Sequence, residues 1–168
     1  MYLGKYLTNQ MNRSVLTMAK NDKKAFYEEL DRLLADQRVR NLNNFSQHNG
    51  TTTLRHVIRV AKTSFDLAER LGWDIDEKEL ARGAILHDYY QYEIKKEGLT
   101  PYRHGTRHPA IAAQKAEEDF GLTEKEENII RSHMWPLTLR TPPRSKEAAL
   151  VCMADKYIAT KEMVFHKY

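Results

Sequence analysis

The sequence predicts an all-α domain of about six or seven helices, and three observations carry that expectation. Apolar residues recur at three- and four-residue intervals, the period of a helix with one buried face, and nowhere alternate as a half-buried strand would. Ser, Thr and Asp stand just before several of these runs, where a side-chain oxygen can accept from the free N–H groups of a first turn. Gly72 and Gly121 stand just after two of them, where a left-handed residue commonly ends a helix.

Taken in order, Phe26, Leu30, Leu33, Leu34 and Val39 place a helix from Asp22 to about Arg40. The polar stretch from Asn43 to Gly50 reads as a loop. Thr51 to Thr53 can cap the next helix, which carries Leu54, Val57, Ile58, Ala61, Phe65 and Ala68 and ends at Gly72. Asp76 and Glu79 have capping-box spacing and open a helix through Leu80, Ala84 and Leu86. Gly98, Pro101 and Gly105 mark a loop from about Tyr92 to Arg107, after which Pro109 suits the first turn of a helix running to Phe120. Thr123 with Glu126 makes a second capping box, ahead of Ile129 and Ile130. Pro136, Pro142 and Pro143 hold a loop, and Ser145 can cap a last helix through Ala159. Residues 1–44 form an N-terminal helical extension packed on a domain of residues 45–168, with no repeat or linker between them.

Apolar residues make up 41% and charged residues 30% of the 168-residue chain, as in ordinary globular proteins. No apolar run reaches the roughly 18 residues that a membrane span needs. The start, MYLGKYLTNQ, lacks the apolar core of a secretory signal. Cys152 is the single cysteine, so no internal disulfide forms, and a reducing, cytoplasmic location is expected. The net charge of +4 comes without a basic run. Nucleic acid is therefore not an expected partner, and the charge supports only a weak bias towards anionic substrates. A homo-oligomer is compatible with all of this.

The chemistry-bearing residues stand in apolar surroundings. Asp155 has Val151, Cys152, Ile158 and Ala159 as its helical neighbours, and an ionised carboxylate buried there is costly unless a cation or hydrogen bonds compensate. His87 and Asp88 follow Ala84, Ile85 and Leu86 directly, and His56 lies in a helix apolar around much of its circumference. One such group alone reads as a satisfied core residue. Three on separate helices read as ligands sharing an ion. Imidazole and carboxylate suit Mn, Fe, Co, Ni or Zn. Adjacent helical ligands such as His87 and Asp88 point about 100° apart, so other helices must complete the shell.

The segments LRHVIRVA, AILHDYY and VCMADKY, in that order, resemble the H…HD…D signature of the HD-domain phosphohydrolases. HGTRHPAIAA and IIRSHMWP resemble the two extra histidine motifs of the binuclear subgroup. The resemblance covers about Phe45 to Glu162 and is strongest to small bacterial HD proteins, more distant to the dinucleoside tetraphosphate hydrolases. It implies that His56, His87, Asp88 and Asp155 bind a first divalent transition-metal ion. It further implies that Asp88 bridges to a second ion held by His108 and His133, and that His87 and Asp88 are catalytic. The implied reaction is hydrolysis of a phosphomonoester or phosphodiester, in a nucleotide or another small phosphorylated metabolite, by metal-activated water.

One position departs from the family. Many members carry Lys or Glu three residues after the Asp of the doublet, where this chain has Gln91. Substrate phosphate would then fall to Lys156 and Arg107, each beside a ligand, with His104 as a third candidate. His48 and His166 read as non-ligands and Cys152 as a core residue. HD-fold di-iron oxygenases resemble the chain in the same four-His, two-Asp order, which makes oxidative chemistry the first rival. A non-catalytic module binding a metal or a nucleotide is the second.

Overall fold

The computed structural model describes residues 25–47, 50–90 and 100–165, without the side chains of residues 101, 102, 104 and 165. Its helices are α1 (25–35), α2 (Gln37–Arg40), α3 (Thr53–Leu71), α4 (Glu77–Leu86), α5 (Pro101–Phe120), α6 (Glu124–Ser132) and α7 (Lys146–Phe165), with a 3-10 turn at Asn41–Asn44. Among the described residues there is no β-strand, only an isolated bridge between Ser46 and Thr52. The all-α expectation holds.

The centre of the bundle is α3, packed against α4 and α7, while α6 packs against α4, α5 and α7. Its inward face buries Val57, Val60, Ala61, Phe65 and Ala68. Thr52 caps its start by accepting from the Arg55 N–H, and Gly72 ends it at φ 62°, a conformation that costs glycine little. Phe26 of α1 stacks on Phe65 with ring centroids 4.3 Å apart, so α1 shares this core. Half-buried Arg82 on α4 ion-pairs with Glu126 of α6 at 2.6 Å and with Glu29 of α1 at 3.5 Å, tying three helices together. Each carboxylate stays paired there, as burial of charge requires.

The boundaries differ from expectation in three places. The first helix does not run unbroken to Arg40: Asp36 turns extended, with ψ 128°, and its carboxylate caps α2 at the Arg38 N–H. The end of the segment read as a loop, from Pro101 to Arg107, is helical, because α5 begins at Pro101 with Thr100 as its N-cap, and residues 92–99 of that segment lie outside the described residues. Thr-Pro is itself an N-cap and first-turn pair. Pro109 lies inside α5 instead, where it lacks the N–H that would reach the Gly105 carbonyl. His108 is therefore an interior helical residue and no cap. Finally, Asp76 caps the Glu79 N–H, but the Glu79 carboxylate accepts from Thr123 Oγ1 and pairs with Lys125, each at 2.7 Å, instead of closing a box. The box at Thr123 and Glu126 is complete. None of the described helices is long and apolar enough to cross a membrane.

Candidate metal centre

Five helices deliver six side chains to one buried place. His56 comes from the start of α3, His87 from the C-cap of α4 with Asp88 just after it, His108 from within α5, His133 from the C-cap of α6 and Asp155 from α7. All six are buried, the most exposed being Asp155 at 7%. The sequence-expected ligands thus converge.

Two of the histidines are set by the same local device. At the end of α4, His87 Nδ1 donates to the Ala84 carbonyl at 2.7 Å, and at the end of α6, His133 Nδ1 donates to the Ile130 carbonyl at 2.7 Å. Each ring satisfies a carbonyl left open in the last turn. That bond fixes the proton on Nδ1 and leaves the Nε2 lone pair aimed inward. The two rings meet edge to face at 4.8 Å. His56 is fixed from behind by Glu162, whose Oε2 accepts from Nδ1 at 2.9 Å while Oε1 accepts from Arg59 at 3.0 Å.

Around these rings the donors fall into two sets sharing Asp88. In the first, Asp88 Oδ2 lies 3.7 Å from His56 Nε2 and 3.5 Å from His87 Nε2. Asp155 Oδ1 lies 3.1 Å from the same atom of His56 and 3.7 Å from that of His87. In the second, Asp88 Oδ1 lies 3.2 Å from His108 Nε2 and 3.6 Å from His133 Nε2, and those two nitrogens face each other at 2.7 Å. The ligand atoms of His56, His87 and Asp88, and those of Asp88, His108 and His133, lie within 4.8 Å of one another in each group.

The electrostatics fit a cation. Burial alone would raise the Asp88 and Asp155 carboxyls, but the surrounding imidazoles hold both below the usual range. Burial opposes charge on His56, yet its bonds to Asp155 and Glu162 raise it to about 10. Burial, together with neighbouring His108 and His87, pushes His133 down to about 3, which keeps it a neutral donor. Ionised carboxylates this deep need positive charge beside them. Two further atoms test whether a metal fits: His87 Nε2 and Asp88 Oδ1 are buried and have no hydrogen-bond partner. Orphaned acceptors of this kind, aimed into a ring of imidazole and carboxylate, are what a transition metal takes up.

The expected substrate contacts do not gather in the same way. Lys156 Nζ donates to the His133 carbonyl at 2.9 Å and to the Cys152 carbonyl at 3.3 Å, so it braces the end of α6. Arg107 is exposed on α5 beside His108. The side chain of His104, together with His48, Gln91, Tyr92 and His166, lies outside the described residues. Cys152 is buried, as expected of a core residue.

Two residues at the centre escaped the sequence reading. Glu162 lies seven positions after Asp155, two turns along α7, and that spacing was the available signal. Gln47 belongs to the polar loop before α3; its Nε2 donates to Asp88 Oδ2, and its Oε1 accepts from the Tyr90 hydroxyl at 2.7 Å. Nothing periodic marks a loop residue of this kind.

A bundle whose helix ends present a His-Asp doublet to histidines and an aspartate from neighbouring helices is an HD architecture. The chain belongs to the HD domain family, which matches residues 53–160. That family, with these clusters, points to divalent metal binding and to the metal-dependent phosphohydrolase superfamily. Among curated proteins, the glycine–tRNA ligase beta subunits of Streptococcus pneumoniae strains Hungary19A-6 and P1031 are each 29% identical over 148 residues. That of strain JJA is 28% identical over the same length. Each alignment covers 86% of this chain and 21% of the relative. The chain thus spans about a fifth of the length of the curated relatives it matches. No solved structure matches it.

Proposed function

We propose that the protein is a metal-dependent phosphohydrolase acting on a nucleotide or another small phosphorylated metabolite. His56, His87, Asp88 and Asp155 hold one ion, and Asp88, His108 and His133 hold a second. The observation that carries this reading is the paired orphaned acceptors, His87 Nε2 and Asp88 Oδ1, at the seam between the two donor sets. Bound ions of this kind activate water near neutral pH and stabilise charge on phosphoryl oxygens.

The chain's own residues supply the rest. His87 and His133 each turn Nε2 inward through an Nδ1 bond to a helix carbonyl. Lys156 reaches a substrate only by leaving the His133 carbonyl, so the exposed Arg107 is the cation assigned to phosphate. In a screen of nucleotides and sugar phosphates, protein loaded with Mn²⁺ should release phosphate, and His87→Ala should lose both metal and turnover. Release unaffected by His87→Ala or Asp88→Asn would refute the assignment. Oxygen consumption by iron-loaded protein, with no phosphate release, would move it to the oxygenase chemistry.

The glycine–tRNA ligase relatives favour a second reading, a non-catalytic module serving an RNA-handling protein. The six-residue donor set argues for the first, since a binding module has no need of a second cluster around Asp88. Tight tRNA binding by metal-free protein, without turnover of any phosphate ester, would favour the second.

A further inference from the structure

We propose that Gln47, held by Tyr90, positions the shared carboxylate of Asp88 and thereby controls binding of the second metal ion; the proposal rests on the two-ion reading above. The two oxygens of Asp88 face different histidine pairs, Oδ2 towards His56 and His87, Oδ1 towards His108 and His133. Rotation about the Cβ–Cγ bond would turn both oxygens away from these directions. Oδ1 accepts no hydrogen bond that could prevent it. The restraint lies at Oδ2, where the Gln47 amide donates.

That amide is itself fixed at both ends. An ionised carboxylate only accepts, so the Gln47 nitrogen must face Asp88. Its oxygen then faces Tyr90, whose hydroxyl donates to it at 2.7 Å. Tyr90 is buried two residues after Asp88, in a turn closed by its own N–H bond to the Asp88 carbonyl at 2.8 Å, and its ring stands edge-on to His108 at 5.7 Å. The backbone of Gln47 is tied down as well, its N–H donating to the Thr51 carbonyl at 2.8 Å beside the Ser46–Thr52 bridge. One short loop therefore starts the helix that carries His56 and clamps the carboxylate that both sets share.

The two sets do not depend on that carboxylate equally. The first contains a second anionic donor, Asp155, whereas among the described residues Asp88 is the sole anion of the second. Losing the aim of Oδ1 takes that negative ligand away from His108 and His133. Gln47 is thus a positioning residue for the second ion.

The test is a calorimetric Mn²⁺ titration of the full chain, wild type against Gln47→Met, which keeps the side chain's length and removes both polar ends. The second-ion affinity should fall about 10–100-fold, the range for loss of a hydrogen-bond partner behind a ligand, while the first changes little. The spin-coupled Mn pair should disappear from the electron paramagnetic resonance spectrum at two equivalents. Tyr90→Phe should give a smaller loss in the same direction and add little to Gln47→Met, because the two act through one amide. An unchanged second affinity, or equal weakening of both ions, overturns the proposal while leaving the two-ion centre standing. A wild-type protein that binds one Mn²⁺ only would remove the two-ion reading and this proposal together.

Discussion

Gly83→Ala is a sensitive probe of how tightly the two ligand-bearing helix ends are held together. Gly83 lies on α4 one turn before His87, and a Cβ added there would stand 2.6 Å from Ile129 Cγ2, 2.7 Å from its Cδ1 and 2.9 Å from its Cβ. Alanine gains about 1 kcal/mol of helix propensity over glycine. Overpacking a close-fitted core costs about 1–3 kcal/mol. The cost should sit near the upper end, since turning the Ile129 side chain moves Cγ2 and Cδ1 away but leaves Cβ where the backbone puts it. A net loss of about 1–2 kcal/mol follows, or roughly 2–8 °C in Tm for a chain of this length. Relief requires α6 to back away from α4, which would widen the 4.8 Å separation of the His87 and His133 rings. Urea and thermal unfolding of metal-free protein measure the first effect, and a Mn²⁺ titration the second. The cost should shrink when Ile129→Ala is added, a coupling that a double-mutant cycle reads directly. A Gly83→Ala protein as stable as wild type, or more so, would show that propensity wins and that this contact does not set the helix approach.

Three further outcomes follow from individual contacts. Glu162→Gln keeps the volume behind His56 but removes the charge that holds its Nδ1 proton, so first-site metal affinity should fall about 10–100-fold, or roughly 1.4–2.8 kcal/mol, by titration; unchanged affinity would show that His56 needs no such support. Glu147 is buried; burial would raise its carboxyl, but the Asp76 N–H at 2.7 Å, with Ser145 and Lys125, holds it below its ordinary 4.5. A carboxyl depressed in the folded state contributes stability above its unfolded value and loses it as pH falls through the folded one. The stability gap between wild type and Glu147→Gln should therefore be widest near pH 7 and narrow in acid, and a pH-independent gap in urea midpoints would contradict the shift. Thr123→Ala removes the cap that the Glu126 N–H uses and should cost about 1 kcal/mol in the same assay; no change would mean that the Glu126 carboxylate alone secures the start of α6.

The parts of the fold legible in the sequence are those where local chemistry and tertiary packing agree. Thr52, Thr123, Gly72 and Gly121 stand where their preferences place them, at helix ends. The beginning of α5 was misread because Gly105 and Pro109 usually interrupt helices. Here Gly105 is buried where Leu137 and Met134 would meet any added Cβ, at 2.8 and 3.3 Å, so its smallness serves helix packing and not a turn. The break at Asp36 was hidden by an apolar period that runs through it to Val39. For the site, polar residues inside apolar helices signalled their own burial, and the motif order tied them together. The supporting groups gave no comparable signal. Gln47 reaches Asp88 across 41 positions and Glu162 reaches His56 across 106, contacts that only the tertiary fold creates. Lys156, next to Asp155 in sequence, points instead at the end of α6, because neighbours on a helix face different directions.

The central claim is a two-ion centre divided by Asp88, and anomalous diffraction from crystals grown with excess Mn²⁺ tests it most directly. Two peaks about 4 Å apart or less are expected, one against His56, His87 and Asp155, the other against His108 and His133, with the Asp88 carboxylate between them. Asp88→Asn crystals should lose at least the second peak. A single peak, or none, with His108 Nε2 and His133 Nε2 still facing each other, would contradict the account.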